Sequence, residues 1–313
     1  MAAMTTGLLL IGHGTRNPDA IDEVAALCAM LRERLERPVG YSWVEHDLAP
    51  PAPVDAARGL VDEGAEELVT LPFLAFAAGH TKTDVPEELD PVREALPEVP
   101  LHHGTVLGLH PRLVDLARRR LAAAREAAGL PAEVPADEAL LVTGPGSSDP
   151  DANGELAKAA RFLAETSGHR WAEIAYAGVT WPKADAAARA LHAAGFTTVT
   201  RFSWSLLAGI LEQRVDGMVE EVRQETGLVA VDAGRFGPEP EMVDAVVDRF
   251  HEARHGKALS NCDLCQFRLP LPGREGRAGL PSAGGTGASV RADAAAIQEQ
   301  RRDDPDYLNW KRA

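Results

Sequence analysis

The sequence predicts an α/β protein made of two similar domains, each a parallel sheet of about four strands with helices on both faces. Short apolar runs alternate with amphipathic helical patterns over residues 1–128, and the same alternation restarts after residue 137. Alternation of this kind builds parallel sheets, because each helix returns the chain to the starting edge of the sheet. Residues 129–137 (GLPAEVPAD) lack periodicity, so we expect a linker between a first domain, residues 1–128, and a second domain, residues 138–256.

The first domain opens with Gly7–Gly12 (GLLLIG), a continuously apolar run that is typical of a strand buried on both faces. Asn17-Pro18-Asp19 then begins a helix that continues to about Glu36, with proline at a permitted first-turn position. The remaining predicted elements are, in order, strand Val39–Glu45, helix Pro53–Gly64, strand Glu67–Phe73, helix Val85–Ala95, strand Leu101–Leu107 and helix Pro111–Ala128.

The second domain repeats this order. Its predicted strands are Ala139–Thr143, Glu173–Val179, Thr197–Trp204 and Leu228–Ala233, and its last helix is Glu239–Arg254. LLLIGHGTRNPDA aligns with LLVTGPGSSDPDA, and LPFLAFAAGH aligns with RFSWSLLAGI, at offsets of 132 and 130 residues. These alignments place His13 on Pro145 and His80 on Ile210. Near-equal offsets favour a duplicated unit over a chance match of two small-residue turns.

The bulk composition excludes several classes of protein. A formal net charge of -15, from 47 acidic and 32 basic residues, argues against nucleic acid as a partner, since its binding requires a basic face. The sequence contains no apolar run long enough to cross a bilayer, and the N-terminus lacks a basic n-region. We therefore expect a cytoplasmic protein with no membrane partner. Three cysteines do not form a disulfide framework, and Cys28 falls on the apolar stripe of the first helix.

The carboxyl ends of three predicted strands carry the residues most suited to chemistry. His13 ends the first strand, Glu45 ends the second, and His80 ends the loop after the third. Ligands bind at this edge of an open parallel sheet. Two imidazoles and a carboxylate suit a borderline divalent ion such as Co²⁺, Fe²⁺, Ni²⁺ or Zn²⁺, and imidazole also accepts protons near neutral pH. The alternatives are a histidine that only satisfies backbone groups in its turn and a glutamate that is only solvated.

The residues beside the histidines fit a pocket for an anionic ligand. Gly12 and Gly14 allow backbone N–H groups to approach a ligand closely. Arg16 and Lys82 lie within three residues of the two histidines and are candidates to bind carboxylates. Arg112 is a weaker candidate, and a plain surface role is the alternative for each of these cations.

Residues 257–313 differ in character from the rest of the chain. They are rich in Gly, Ala and Ser, so we expect a largely disordered tail. Cys262-x-x-Cys265 lies in this region, after His251-x-x-x-His255 at the end of the last helix. Two thiolates at this spacing bind one tetrahedral metal well, and the two histidines would complete a Zn-type site. The alternative is an unligated cysteine pair.

GHGTRNP, the strand end WVE, LPFLAFAAGHTKTDVPEEL and VLGLHPRL occur in this order over about residues 7–254. In combination they resemble the sirohydrochlorin cobaltochelatase and ferrochelatase family, the two-domain class II chelatases. The resemblance implies two flavodoxin-like domains facing each other across a cleft, with His13 and His80 binding the incoming ion and Glu45 assisting. Pro145 and Ile210 replace the histidines in the second half, which implies one active site per chain. Some longer members carry a Cys-x-x-Cys near this place that is linked to an iron–sulfur cluster; with only two cysteines here, such a cluster would need ligands from a second chain.

The resemblance implies a metal chelatase that acts on sirohydrochlorin, a polycarboxylate tetrapyrrole, and a divalent ion. Cobalt insertion for cobalamin is favoured, iron insertion for siroheme is the closest alternative, and nickel is a weaker one. A non-catalytic metal carrier using the same histidines is the alternative from another class. A dinucleotide-binding protein is disfavoured, because the first turn reads GHGTRN and lacks the G-x-G-x-x-G spacing. The oligomeric state is left open.

Overall fold

The computed structural model describes residues 4–255, which form two four-stranded sheets connected by helices. The first half contains β1 (Thr6–Gly12), α1 (Pro18–Leu35), β2 (Val39–Trp43), α2 (Pro53–Asp62), β3 (Glu67–Pro72), α3 (Val85–Ala95), β4 (Leu101–His103) and α4 (Pro111–Ala127). The second half contains β5 (Glu138–Gly144), α5 (Pro150–Ser167), β6 (Ala172–Tyr176), α6 (Ala184–Ala193), β7 (Thr198–Ser203), α7 (Ile210–Thr226), β8 (Val229–Asp232) and α8 (Pro240–Arg254).

Both sheets have the same parallel topology, which confirms the predicted fold class. The strand orders are β2-β1-β3-β4 and β6-β5-β7-β8, and every pairing is parallel. Local sequence signals set the matching starts of α1 and α5. Asn17 and Asp149 each accept a hydrogen bond from the backbone N–H two residues later, at 3.1 Å, and a proline follows each cap.

The fourth strand is shorter than predicted. We expected it to continue to Leu107, but β4 ends at His103. The reason lies in α8, because the Arg249 guanidinium donates hydrogen bonds to the carbonyl oxygens of Val106 (3.1 Å) and Leu107 (2.9 Å). Those backbone groups are thus satisfied by a side chain of the second half and not by a neighbouring strand.

The two halves exchange their last helices. Helix α8 packs on β3 and β4 of the first sheet, and α4 packs on β7 and β8 of the second sheet. Side-chain interactions between the two halves stabilise both helix–sheet contacts. Arg254 pairs with Glu67 at 3.1 Å on one side, and Arg120 donates to the Phe236 carbonyl oxygen at 2.8 Å on the other.

The exchange merges the facing sides of the two sheets into one core. That core joins Leu8, Leu10 and Val69 of the first sheet to Leu140 and Phe202 of the second. The outer faces remain separate, covered by α2 and α3 in the first half and by α6 and α7 in the second. The inner faces of the two halves therefore share a core, and only the outer faces have cores of their own. Within the described residues, the helices are all too short or too polar to span a bilayer.

The sheet registers define the duplication more sharply than the sequence alignment does. Thr6 of β1 pairs with Glu67 of β3, and Glu138 of β5 pairs with Thr198 of β7 in the same way. Thr6 therefore corresponds to Glu138, an offset of 132 residues, and Glu67 corresponds to Thr198, an offset of 131. In the helices that follow, the buried residues Val85, Leu89 and Val92 match Val215, Val219 and Val222 at an offset of 130. The first half therefore has one extra residue between its third strand and its third helix. A π-turn, His80–Asp84, accommodates that residue just before α3.

Candidate metal centre

His13 and His80 meet at the carboxyl edge of the first sheet. Their ring centroids are 4.2 Å apart, and the rings are inclined at 75°. Glu45 completes the group, because one potential ligand atom from each of the three residues lies within 4.8 Å of the others. The side chains remain open to solvent, with 49% of His13, 25% of Glu45 and 22% of His80 exposed. The three residues predicted from the sequence thus form a pre-assembled, accessible set of N and O ligands for one divalent ion.

The backbone holds the first two ligands side by side. The Glu45 N–H donates to the His13 carbonyl oxygen at 2.8 Å, and the His13 Nδ1 lies 3.6 Å from a Glu45 carboxylate oxygen. Gly14 makes this contact possible: its φ is +128°, and a Cβ there would lie 2.8 Å from the Glu45 Cβ. A Cβ on Gly12 would likewise be too close to its neighbour, at 2.5 Å from the Trp43 ring. Both glycines therefore permit close contact between the ends of β1 and β2, and the approach of their backbone N–H groups to a ligand stays a prediction.

Asp84 fixes the orientation of His80 and was not assigned a role from the sequence. Its Oδ2 lies 2.5 Å from the His80 Nδ1, and the Asp84 side chain is only 3% exposed. A carboxylate at Nδ1 keeps a proton on that nitrogen, which leaves Nε2 as the metal-binding atom. The i, i+4 spacing within HTKTD was the sequence signal for this pair, but the π-turn that brings the two groups together was not foreseeable.

Electrostatics keep the first imidazole in its metal-binding form. Burial lowers the pKa of His13, and the neighbouring His80 lowers it further, while Glu45 opposes the shift. A neutral imidazole offers its nitrogen lone pair to a cation at neutral pH without first losing a proton. His46 follows Glu45 in the chain, and its Nε2 lies 3.7 Å from a Glu88 carboxylate oxygen; neither residue was predicted from the sequence.

Lys82 does not face this centre, which contradicts the expected role in binding carboxylates. Its ammonium is 4% exposed and lies 2.8 Å from Asp149 and 2.9 Å from Asp151, at the start of α5. Burial alone would lower the pKa of Lys82, but the hydrogen bonds to the two aspartates raise it. The lysine therefore connects the two halves of the chain.

The other predicted cations have different surroundings. Arg16 is exposed, and its guanidinium makes no ion pair within residues 4–255, so it stays a candidate for binding an anionic ligand. Arg112 is an exposed residue in the first turn of α4, where its backbone N–H donates to His110 Nδ1 at 3.3 Å. Cys262 and Cys265 lie outside the described residues. His251 and His255 stack at the end of α8 with ring centroids 6.1 Å apart.

The chain is a duplicated parallel α/β protein in which two imidazoles and a carboxylate, a ligand set suited to a divalent metal, converge at the strand ends of one copy. The family model described as CbiX matches residues 7–124 and 139–253. These ranges cover most of the chain, and the protein belongs to the CbiX family.

Similar proteins are named as sirohydrochlorin chelatases, but their names differ in the metal that is inserted. The chain is 29% identical over 265 residues to the sirohydrochlorin cobaltochelatase of Priestia megaterium, covering 84% of this chain and 85% of that protein. It is 24% identical over 229 residues to the sirohydrochlorin ferrochelatase of the same organism, covering 73% and 81%. Among solved structures, SirB from Bacillus subtilis with Fe³⁺ aligns with a TM-score of 0.68 at 23% identity, covering 81% of this chain and 98% of that one.

Proposed function

We propose that this chain is a sirohydrochlorin chelatase that inserts Co²⁺ into its tetrapyrrole substrate in the cytoplasm. The observation that carries the proposal is the pair of imidazoles at 4.2 Å with Glu45 beside them, open to solvent. Cobalt is preferred over iron because the relative named as a cobaltochelatase matches more of the chain, at higher identity, than the ferrochelatase from the same organism.

The incoming ion is a substrate, and the three side chains hold it before insertion. A divalent ion loses water as it binds to His13 and His80, and the Glu45 carboxylate offsets part of its charge. The protein supplies few ligands, and one side of the site is open to solvent. The ion can therefore exchange its protein ligands for pyrrole nitrogens one at a time. Asp84 keeps the His80 ring in place during that exchange.

Insertion also releases two protons, because the two inner N–H groups of the macrocycle are replaced by bonds to the metal. Each imidazole recovers a free lone pair as the ion leaves it, so His13 and His80 can accept these protons and pass them to water. Glu45 is 25% exposed and gives a second route to solvent. The protein thus contributes positioning, timed ligand exchange and proton acceptance.

The test is anaerobic insertion of Co²⁺ or Fe²⁺ into sirohydrochlorin, followed through the absorbance of the macrocycle. We expect a higher kcat/KM for Co²⁺, and expect His13→Ala and His80→Ala each to abolish insertion. His192→Ala removes an exposed histidine on α6 and is the matched control. Faster iron insertion would reassign the chain to siroheme synthesis. Undiminished insertion in both histidine variants would overturn the assignment of the site.

The alternative from another class is a metal carrier that binds the ion at the same residues without catalysis. The same assay separates the two functions. A carrier binds Co²⁺ in titration, loses that binding in the histidine variants, and leaves the spectrum of sirohydrochlorin unchanged when all three components are mixed.

A further inference from the structure

The duplication gives every residue of the metal centre a counterpart in the second half. Backbone hydrogen bonds from Val44 to Gly12 and from Glu45 to His13 recur as bonds from Ala177 to Gly144 and from Gly178 to Pro145. His13 therefore corresponds to Pro145, and Glu45 corresponds to Gly178. The core residues of α3 and α7 match at an offset of 130, so Asp84 corresponds to Arg214.

The second copy has lost the metal ligands and reversed the charge. A glycine occupies the position of Glu45, and Arg214 occupies that of the buried Asp84. The guanidinium of Arg214 covers the glycine, since its Nη1 would be 3.8 Å from a Cβ placed on Gly178. Arg214 is exposed and makes no ion pair within the part of the chain that the structure describes. A cation in this position repels a metal ion and attracts an anion.

Large apolar side chains are exposed on the two segments to which Gly178 and Arg214 belong. Val179 is 71% exposed, Trp181 is 70% exposed, and Ile210, which opens α7, is 72% exposed. The Lys183 ammonium lies 5.7 Å from the Trp181 ring centroid, which adds a second cation. We name this surface the second-copy rim, composed of Val179, Trp181, Lys183, Ile210 and Arg214. Exposed apolar groups on the same segments as cations that form no ion pair among residues 4–255 indicate a binding surface for a ligand that is both apolar and anionic.

The second-copy rim and the metal centre lie beside the same loop. That loop, residues 145–149, ends at Asp149, which binds Lys82, and Lys82 is two residues from His80. The start of the loop packs against the segment that carries Val179 of the rim, because a Cβ on Gly146 would lie 2.4 Å from the Gly178 carbonyl oxygen and 3.3 Å from the Thr180 Cγ2. The rim and the metal centre are therefore connected through one short loop.

We propose that the second-copy rim holds the macrocycle during insertion, with Trp181 and Ile210 against the ring and Arg214 bound to a peripheral carboxylate. This inference rests on the proposed function. The division of labour follows from charge: the first copy concentrates carboxylates and imidazoles, which bind the ion. The second copy presents cations on a chain of net charge -15, and these bind the polyanionic substrate.

The experiment compares Arg214→Glu and Trp181→Ala with the wild-type chain. We expect KM for sirohydrochlorin to rise by about tenfold in Arg214→Glu, the ratio that the loss of one charge-assisted hydrogen bond produces, with kcat changed little. Trp181→Ala should raise KM several-fold. Titration with Co²⁺ alone should give the wild-type affinity in both variants, since His13, His80 and Glu45 are untouched.

The matched control is Arg223→Glu, which makes the same change in charge at the far end of α7, where Arg223 pairs with Glu220. Unchanged KM in Arg214→Glu and Trp181→Ala relative to this control would overturn the inference and leave the chelatase function intact. If the wild type inserts neither ion, the proposed function fails. Binding of sirohydrochlorin, followed by quenching of tryptophan fluorescence, then tests the rim by itself: wild-type affinity in Arg214→Glu refutes it.

Discussion

Asp84 determines which nitrogen of His80 faces an incoming ion, and its effect can be measured separately from that of the ligands. The carboxylate is buried and bonded to the His80 Nδ1 at 2.5 Å, so replacing it by alanine frees the ring to rotate and to change tautomer. We expect Asp84→Ala to weaken Co²⁺ binding by about 10–100-fold. Asp84→Asn should lose less, because its amide oxygen still accepts the Nδ1 proton.

Titration with Co²⁺, followed by visible absorbance, checks this prediction. Asp90→Ala is a suitable control, since Asp90 is an exposed carboxylate on α3 that pairs only with Arg93 among the described residues. Equal Co²⁺ affinities for Asp84→Ala and the control would show that packing alone orients His80.

Lys82 and Arg16 lie close to the histidines in the sequence, but the structure predicts opposite effects for their removal. Lys82→Met leaves Asp149 and Asp151 buried without a cation, so it should reduce the free energy of unfolding by about 3–5 kcal/mol. Arg16→Met should change stability by less than about 0.5 kcal/mol, because the side chain is exposed, and should raise KM for the tetrapyrrole. Urea denaturation and steady-state kinetics measure the two effects. A stable Lys82→Met variant with a raised KM would return this lysine to the substrate site.

The π-turn before α3 is the element that distinguishes the active copy from the other one. The first half has one more residue than the second between its third strand and the matching helix, and the turn His80–Asp84 absorbs it. One residue of a helix corresponds to a rotation of about 100°. The extra residue therefore turns His80 towards His13 while α3 keeps its buried face.

Deleting Thr83 should convert this turn into a regular helical start like that of α7. We expect a chain that still unfolds cooperatively, because Val85, Leu89 and Val92 keep the spacing that Val215, Val219 and Val222 have in the second half. Co²⁺ binding should be lost, because His80 is rotated away. Thr83→Ala preserves the chain length and is expected to bind Co²⁺ normally. Calorimetry and Co²⁺ titration decide the outcome, and retention of metal binding by the deletion variant would contradict the role given to the turn.

The sequence predicted most elements of the fold and the convergence of the three candidate ligands, for identifiable reasons. Strands such as β1 and helices such as α1 carry their signals locally, in apolar runs, caps and prolines, and the carboxyl ends of adjacent strands must meet. The role of Lys82 was missed because its partners, Asp149 and Asp151, are 67 and 69 residues away in the sequence. A local sequence pattern does not indicate a contact between the two halves. The end of β4 was missed for the same reason, since Arg249 of α8 satisfies the backbone that follows it.

At the scale of the whole molecule, the exchange of α4 and α8 makes each half depend on the other. His13, Glu45, His80 and Asp84 all belong to residues 1–128, but the inner face of β3 and β4 is covered by α8. Removing the second half would expose Val69 and Leu71, which are buried in the shared core. The candidate metal centre therefore rests on a sheet whose inner face the second half covers.

We therefore expect a chain of residues 1–128 to form no folded monomer, although it contains every candidate ligand. Its own α4 is the counterpart of α8 in the duplication, so the fragment can complete its sheet only by pairing with a second copy or with the missing half. Co-expression with residues 129–313 should restore a complex that elutes at the size of the intact chain and binds one Co²⁺. Size-exclusion chromatography with Co²⁺ titration checks both statements. A fragment 1–128 that is monomeric, unfolds cooperatively and binds Co²⁺ would show that the exchanged helix is dispensable for the site.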